Sequence, residues 1–85
     1  MKKIDIYTGP MCNYCSAAKH LLSKKNAEFN EMNIGTDATK MEEMLKRTNG
    51  ARSVPQIFIG DHYVGGYDQL KALDVEGKLE TLLKD

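Results

Sequence analysis

The sequence has no excess charge of either sign, no long apolar run and only two cysteines. Each shortage removes a class of function. Twelve Lys and Arg balance twelve Asp and Glu in 85 residues. Nucleic acid and anionic membrane select for excess basic charge, so neither is an expected partner. Apolar runs are only a few residues long, far short of the ~20 that a bilayer-spanning helix needs. The opening Met1-Lys2-Lys3-Ile4-Asp5 has basic residues with no apolar stretch behind them, so no secretory leader is expected unless one has already been removed. There is no repeat, linker or low-complexity segment. With 41% hydrophobic and 28% charged residues, the composition is that of a folded globular protein. Residues 1–85 are expected to form one domain that acts as a monomer.

The two cysteines are Cys12 and Cys15. A small secreted domain that relied on disulfides would carry more of them. A bridge across two intervening residues closes too short a loop to restrain much of the unfolded chain. The pair therefore has a chemical purpose, and the expected location is the cytoplasm.

Hydrophobic spacing gives the element order. Lys3–Thr8 alternates and is rich in β-branched residues, which predicts a strand ended by Gly9-Pro10. Tyr14, Ala17, Ala18, Leu21 and Leu22 follow a helical period. Lys24 and Lys25 then suit the negative end of the helix dipole. Glu28–Ile34 predicts a second strand, and Gly35-Thr36-Asp37 a turn. Met41, Met44, Leu45 and Thr48 predict a second helix that stops at Asn49-Gly50, with both methionines in the core. Gln56–Ile59, the turn Gly60-Asp61 and His62–Val64 predict a hairpin. Gly65-Gly66 breaks the chain. Leu70 and Leu73, then Leu79, Leu82 and Leu83, predict two short helices around Gly77. The expected fold is α/β: a four-stranded mixed sheet flanked by helices in the order β-α-β-α-β-β-α-α.

Cys12-Asn13-Tyr14-Cys15 falls where the first strand gives way to the first helix. Unsatisfied N–H groups and the positive end of the helix dipole meet there, and both favour a thiolate. Cysteines so placed ionise at pH values of roughly 3.5–7.5, against about 8.5 for a free thiol. Cys12, ahead of the helix, is the expected exposed nucleophile. Cys15, one turn further in, is the expected covered resolving thiol. Three other readings compete. The pair could be half of a zinc site, but only His20 and His62 remain as soft donors and no second ligand pair has the right spacing. Cys15 could be an inert core residue, or both cysteines could be incidental.

Three segments in order then carry a family resemblance: Tyr7-Thr8 leading into Cys12–Cys15, Arg52-Ser53-Val54-Pro55-Gln56-Ile57-Phe58-Ile59-Gly60, and Val64-Gly65-Gly66-Tyr67-Asp68. Over essentially its whole length the chain resembles a glutaredoxin of the small bacterial dithiol type. The resemblance implies a thioredoxin fold, glutathione as reductant, and reduction of protein disulfides and glutathione mixed disulfides, with ribonucleotide reductase as a protein partner by analogy. It places a cis proline at Pro55, after Ser53, with Val54 offering backbone groups to the cysteine of glutathione. Gly66, Tyr67 and Asp68 would hold the γ-glutamyl end, with helix N–H groups on its carboxylate and Asp68 on its ammonium. Tyr14 would border the groove. Read on their own, Gly65-Gly66 is an ordinary turn, Asp68 a helix N-cap, Tyr14 a packing residue, and Tyr63 and Tyr67 packing or surface residues. Neither histidine is placed to act as a base.

The chain departs from the family pattern at several positions. Asn13 stands where relatives usually have proline, which is preorganised for a first helical turn. Gly9 stands where a lysine often pairs with the glycyl carboxylate of glutathione. Losing that contact removes about 1.5–3 kcal/mol if well formed, and less if solvated. Met41 and Glu42 lie near the place of another glutathione-binding side chain, with Lys40 or Arg52 as candidate substitutes. Gln69 replaces a second aspartate. These differences predict weaker glutathione binding. No resident metal is expected. The alternatives are a reductant recycled by thioredoxin reductase, or a [2Fe–2S] carrier in which two protomers each give Cys12 and two glutathiones complete the four thiolates. Lack of a spacer proline suits the carrier.

Overall fold

The computed structural model describes residues 2–84. The elements are β1 (Ile4–Thr8), α1 (Asn13–Lys24), β2 (Asn30–Asn33), α2 (Ala38–Thr48), β3 (Gln56–Ile59), β4 (His62–Gly65), α3 (Tyr67–Val75) and α4 (Leu79–Leu83). The order is that predicted from hydrophobic spacing. The sheet runs β2-β1-β3-β4. β2 is parallel to β1, which requires the α1 crossover; β3 is antiparallel to β1, and β4 to β3.

Two cores follow from the two-residue period of the strands. Ile4, Ile6, Ile57 and Ile59 join Ala18, Leu21 and Leu22 of α1, Leu70 of α3, and Leu79 and Leu83 of α4. The intervening Tyr7 and Phe58 face the other side, with Met32 and Met44. Helices thus cover both faces of the two central strands. Met41 is only half-buried at the edge of the second core.

Three boundaries differ from the sequence reading. β2 is confined to Asn30–Asn33, not Glu28–Ile34. It is an edge strand in which only Met32 is buried, so alternation gives little signal. α2 starts at Ala38, three residues ahead of Met41, because the Asp37 carboxylate accepts from the Thr39 N–H at 3.0 Å. It stops where expected, with Asn49 left-handed at φ 59°. On β4, Ile57 pairs with Gly65 but Phe58 pairs with Tyr63, which leaves Val64 as an extra residue. This bulge puts Gly65 at φ 109°, a conformation that suits glycine, and turns the chain out of the sheet toward α3.

Candidate active site

Cys12 is the N-cap of α1, with φ −109° and ψ 103°, and its Sγ accepts from the Cys15 backbone N–H at 3.1 Å. Sulfur here takes the place that a Ser, Thr or Asp oxygen fills at an ordinary cap. An N–H aimed at Sγ favours negative charge on that atom, and the helix dipole adds to the effect. Cys15 lies 5.2 Å away between Cα atoms, and the two are joined as a disulfide. Cys12 is half-buried, whereas Cys15 is only 2% exposed. An incoming substrate disulfide therefore meets Cys12 first. Helix α1 begins at Asn13 itself, the position where a proline would be tolerated.

The segment before β3 faces this pair. The Val54–Pro55 peptide is cis, and the Val54 carbonyl oxygen lies 3.7 Å from Cys12 Sγ. Gln56, buried at the start of β3, holds the segment from behind. Its Nε2 donates to the Ser53 carbonyl at 2.9 Å and to Ser53 Oγ at 3.2 Å, and its Oε1 accepts from the Tyr63 hydroxyl. Tyr63 in turn stacks on Phe58. The sequence reading gave neither Gln56 nor Tyr63 a part in the site. The one available signal was a polar residue heading an otherwise apolar strand.

The third contribution comes from the start of α3. Gly66 is its N-cap, so Asp68 sits two residues into the helix and does not cap it. Glycine has no side chain to satisfy the first amides. Instead Gln69 folds back, and its Oε1 accepts from the Gly66 N–H at 2.9 Å. Gln69, noted in the sequence only as a missing aspartate, is half of a capping box. One pocket brings together Tyr14, Ser53, Val54, Pro55, Gly66, Tyr67, Asp68 and Gln69. Tyr14 does not pack into the core. Its ring is largely exposed and stacks on Tyr67, with centroids 5.9 Å apart.

Several charges outside the pocket are paired. The Lys19 ammonium lies 3.0 Å from Glu31, whose same oxygen accepts from the buried Thr8 hydroxyl at 2.9 Å. Burial alone would raise the Glu31 pKa, but Lys19 and Thr8 outweigh it and hold this carboxyl below its ordinary range. Behind β1, burial and the Glu43 carboxylate push the Tyr7 phenol above its ordinary range. Arg47 lies 3.8 Å over the Phe58 ring and donates to Asp5 and to the Tyr7 oxygen. Lys40, a candidate substitute for the missing glutathione contact, instead reaches Glu43 at 3.5 Å. Arg52 is exposed. Met11, next to Cys12, is left-handed at φ 52° and fully exposed. For a residue with a Cβ that conformation costs about 1–2 kcal/mol.

A dithiol at a helix N-terminus, facing a cis-proline segment at the end of a four-stranded mixed sheet, defines a thiol–disulfide exchange protein of the thioredoxin fold. The glutaredoxin family model matches residues 4–64. Glutaredoxin 3 of Escherichia coli K12 is 50% identical over 84 residues, which cover 99% of this chain and all of that protein. The solution structure of a Brucella melitensis glutaredoxin is 49% identical, covers 99% of this chain and 90% of that one, and superposes with a TM-score of 0.83. A crystal structure of a buckwheat glutaredoxin–glutathione complex is 28% identical, with a TM-score of 0.81 over 94% of this chain and 74% of that one. The chain belongs to the glutaredoxin family, and its Cys12–Cys15 pair is that of a thiol–disulfide oxidoreductase. Among the described residues no helix is long and apolar enough to cross a membrane.

Proposed function

We propose that this glutaredoxin draws its electrons from glutathione and reduces glutathione mixed disulfides and protein disulfides in the cytoplasm. The observation that carries the reading is the Cys15 N–H aimed at Cys12 Sγ beside an open pocket. The Cys12 thiolate attacks one sulfur of the substrate disulfide. A Cys12–substrate disulfide forms, and the other substrate sulfur leaves as thiolate and takes a proton from solvent. Cys15 then loses its proton and attacks Cys12 Sγ, which releases the second substrate thiol and forms the Cys12–Cys15 disulfide. Two electrons have passed to the substrate. Two glutathiones return them and leave as glutathione disulfide.

The pocket suits the tripeptide. Val54, flanked by Ser53 and Pro55, offers backbone groups to a cysteinyl residue whose sulfur sits on Cys12. The N–H groups of Tyr67, Asp68 and Gln69 open α3 under a glycine cap, where a carboxylate is favoured. The exposed Asp68 carboxylate suits the neighbouring ammonium, and the Tyr14–Tyr67 stack forms one wall. Ribonucleotide reductase is a protein substrate of the right chemistry. A [2Fe–2S] carrier would use only Cys12 from each chain, one of four thiolates. Dithiol exchange instead uses both cysteines, whose Cα atoms lie 5.2 Å apart, within disulfide reach.

Two reconstituted reductant systems test the proposal on the mixed disulfide of glutathione and 2-mercaptoethanol. Turnover with glutathione, glutathione reductase and NADPH is expected. Turnover only with thioredoxin reductase and NADPH would overturn the glutathione assignment.

A further inference from the structure

Among the described residues, four large hydrophobic side chains stand exposed: Met11, Tyr14, Tyr63 and Val75. Two of them lie within three residues of Cys12. Tyr14 has a neighbour in Tyr67, but Met11 is 103% exposed. Its position is imposed by the loop that carries it. The Pro10 ring sits so close to Gly35 that a Cβ there would come within 2.7 Å of Pro10 Cδ. On the other side, a Cβ on Gly9 would come within 3.2 Å of a Val54 methyl. The loop is thus packed against two segments, and Met11 is left at a positive φ with its thioether in solvent. A non-glycine residue in that conformation, beside the reacting atom, points to a functional cause.

We infer that Met11 is a specificity-determining residue that contacts an apolar side chain next to the disulfide cysteine of a polypeptide substrate. The occupant follows from the chemistry of exchange. Once Cys12 has attacked, the substrate cysteine is bonded to its sulfur, and its chain neighbours must lie over the adjoining surface. Of the two chain neighbours of Cys12, each one peptide step or about 3.8 Å away between Cα atoms, both are exposed, and Met11 is the apolar one, Asn13 being polar. Its side chain is unbranched and polarisable, so it adapts to varied apolar partners without a shaped pocket. A small mixed disulfide has no such flanking residue and does not use it. The inference rests on the dithiol exchange reading, but not on glutathione as the electron source.

Two short peptides that differ only at the residue beside one cysteine of an internal disulfide, Leu in one and Ser in the other, provide the test. Their reduction by the full chain is compared for wild type, Met11→Gln and Met11→Leu. Gln keeps the length and the backbone demand but is polar, whereas Leu keeps the apolar surface. Wild type should reduce the Leu peptide with roughly tenfold higher kcat/KM than the Ser peptide, the scale of one partly buried apolar contact. Met11→Gln should bring that ratio close to one through KM, and Met11→Leu should keep most of it. Met11→Gln should leave turnover of the glutathione–2-mercaptoethanol disulfide and the pH midpoint of Cys12 alkylation unchanged. A wild type that treats both peptides alike, or a Met11→Gln protein that keeps the full ratio, overturns the inference while leaving the exchange reading intact. A wild type inert toward both peptides and the small disulfide overturns both.

Discussion

The backbone N–H of Cys15 points at Sγ of Cys12 across 3.1 Å. One sulfur thus caps the helix that carries the other, and the two thiols are made unequal by backbone geometry alone. Their burial separates them further, since Cys15 is 2% exposed.

That inequality gives a mutation series. Cys12→Ser is expected to abolish all exchange. Cys15→Ser should keep removal of glutathione from small mixed disulfides, which needs one thiol, and lose reduction of protein disulfides, which needs two. Parallel assays on the two substrate classes check this. Equal losses in both variants would contradict the assignment of roles.

Gly66→Leu should weaken glutathione binding without disturbing the nucleophile. A Cβ at Gly66 meets only Gln69 Oε1 at 3.4 Å and the Pro55 carbonyl at 3.5 Å, ordinary contact distances, so the backbone accepts it. The rest of the side chain then occupies the pocket. KM for glutathione should rise at least about tenfold, equivalent to about 1.4 kcal/mol, with the Cys12 alkylation rate retained. An unchanged KM would place glutathione elsewhere.

How much of this was legible beforehand depended on which residues carried the signal. Strands Ile4–Thr8 and Gln56–Ile59 announce themselves because central strands are dense in β-branched and apolar residues. Asn30–Asn33 does not, because an edge strand buries one side chain in four. The cysteine pair was legible because its spacing is itself the motif. The Gly66 cap was not: a glycine cap leaves no side-chain signature, so Asp68 looked like the better candidate. Gln56 and Tyr63 were missed because their bond spans two strands whose register no local pattern reveals. The Tyr7–Glu43–Arg47 cluster joins β1 to α2 across 36 or more residues, out of reach for the same reason.

The missing lysine at position 9 can be tested by restoring it. Gly9→Lys should lower KM for glutathione by roughly two- to fivefold, as expected for a partly solvated ion pair. The new Cβ presses on a Val54 methyl at 3.2 Å, so Gly9→Ala is the necessary control. A gain in Lys relative to Ala is the charge effect. No difference between the two would show that Gly9 does not limit glutathione binding.

Stability should fall in acid in a way that traces to Glu31. Its pKa is lower in the folded protein than the ordinary 4.5, because Lys19 and Thr8 stabilise the carboxylate. The folded state therefore binds this proton less readily than the unfolded state. Its contribution is complete above the unfolded value and is lost as pH falls through the folded one. Both partners are partly exposed, so the pair contributes only about 0.2–1 kcal/mol. Melting curves of wild type and Glu31→Gln should differ by a few degrees at pH 7, and the gap should narrow progressively as pH falls below 4.5. A gap that does not narrow in acid would assign it to something other than the carboxylate charge.

The rate of Cys12 alkylation against pH, measured on the reduced protein with Cys15 changed to Ser, tests the N-cap thiolate most directly. A midpoint between roughly 3.5 and 7.5 is expected from the Cys15 amide and the helix dipole. A midpoint near 8.5, that of an unstructured cysteine, would contradict it.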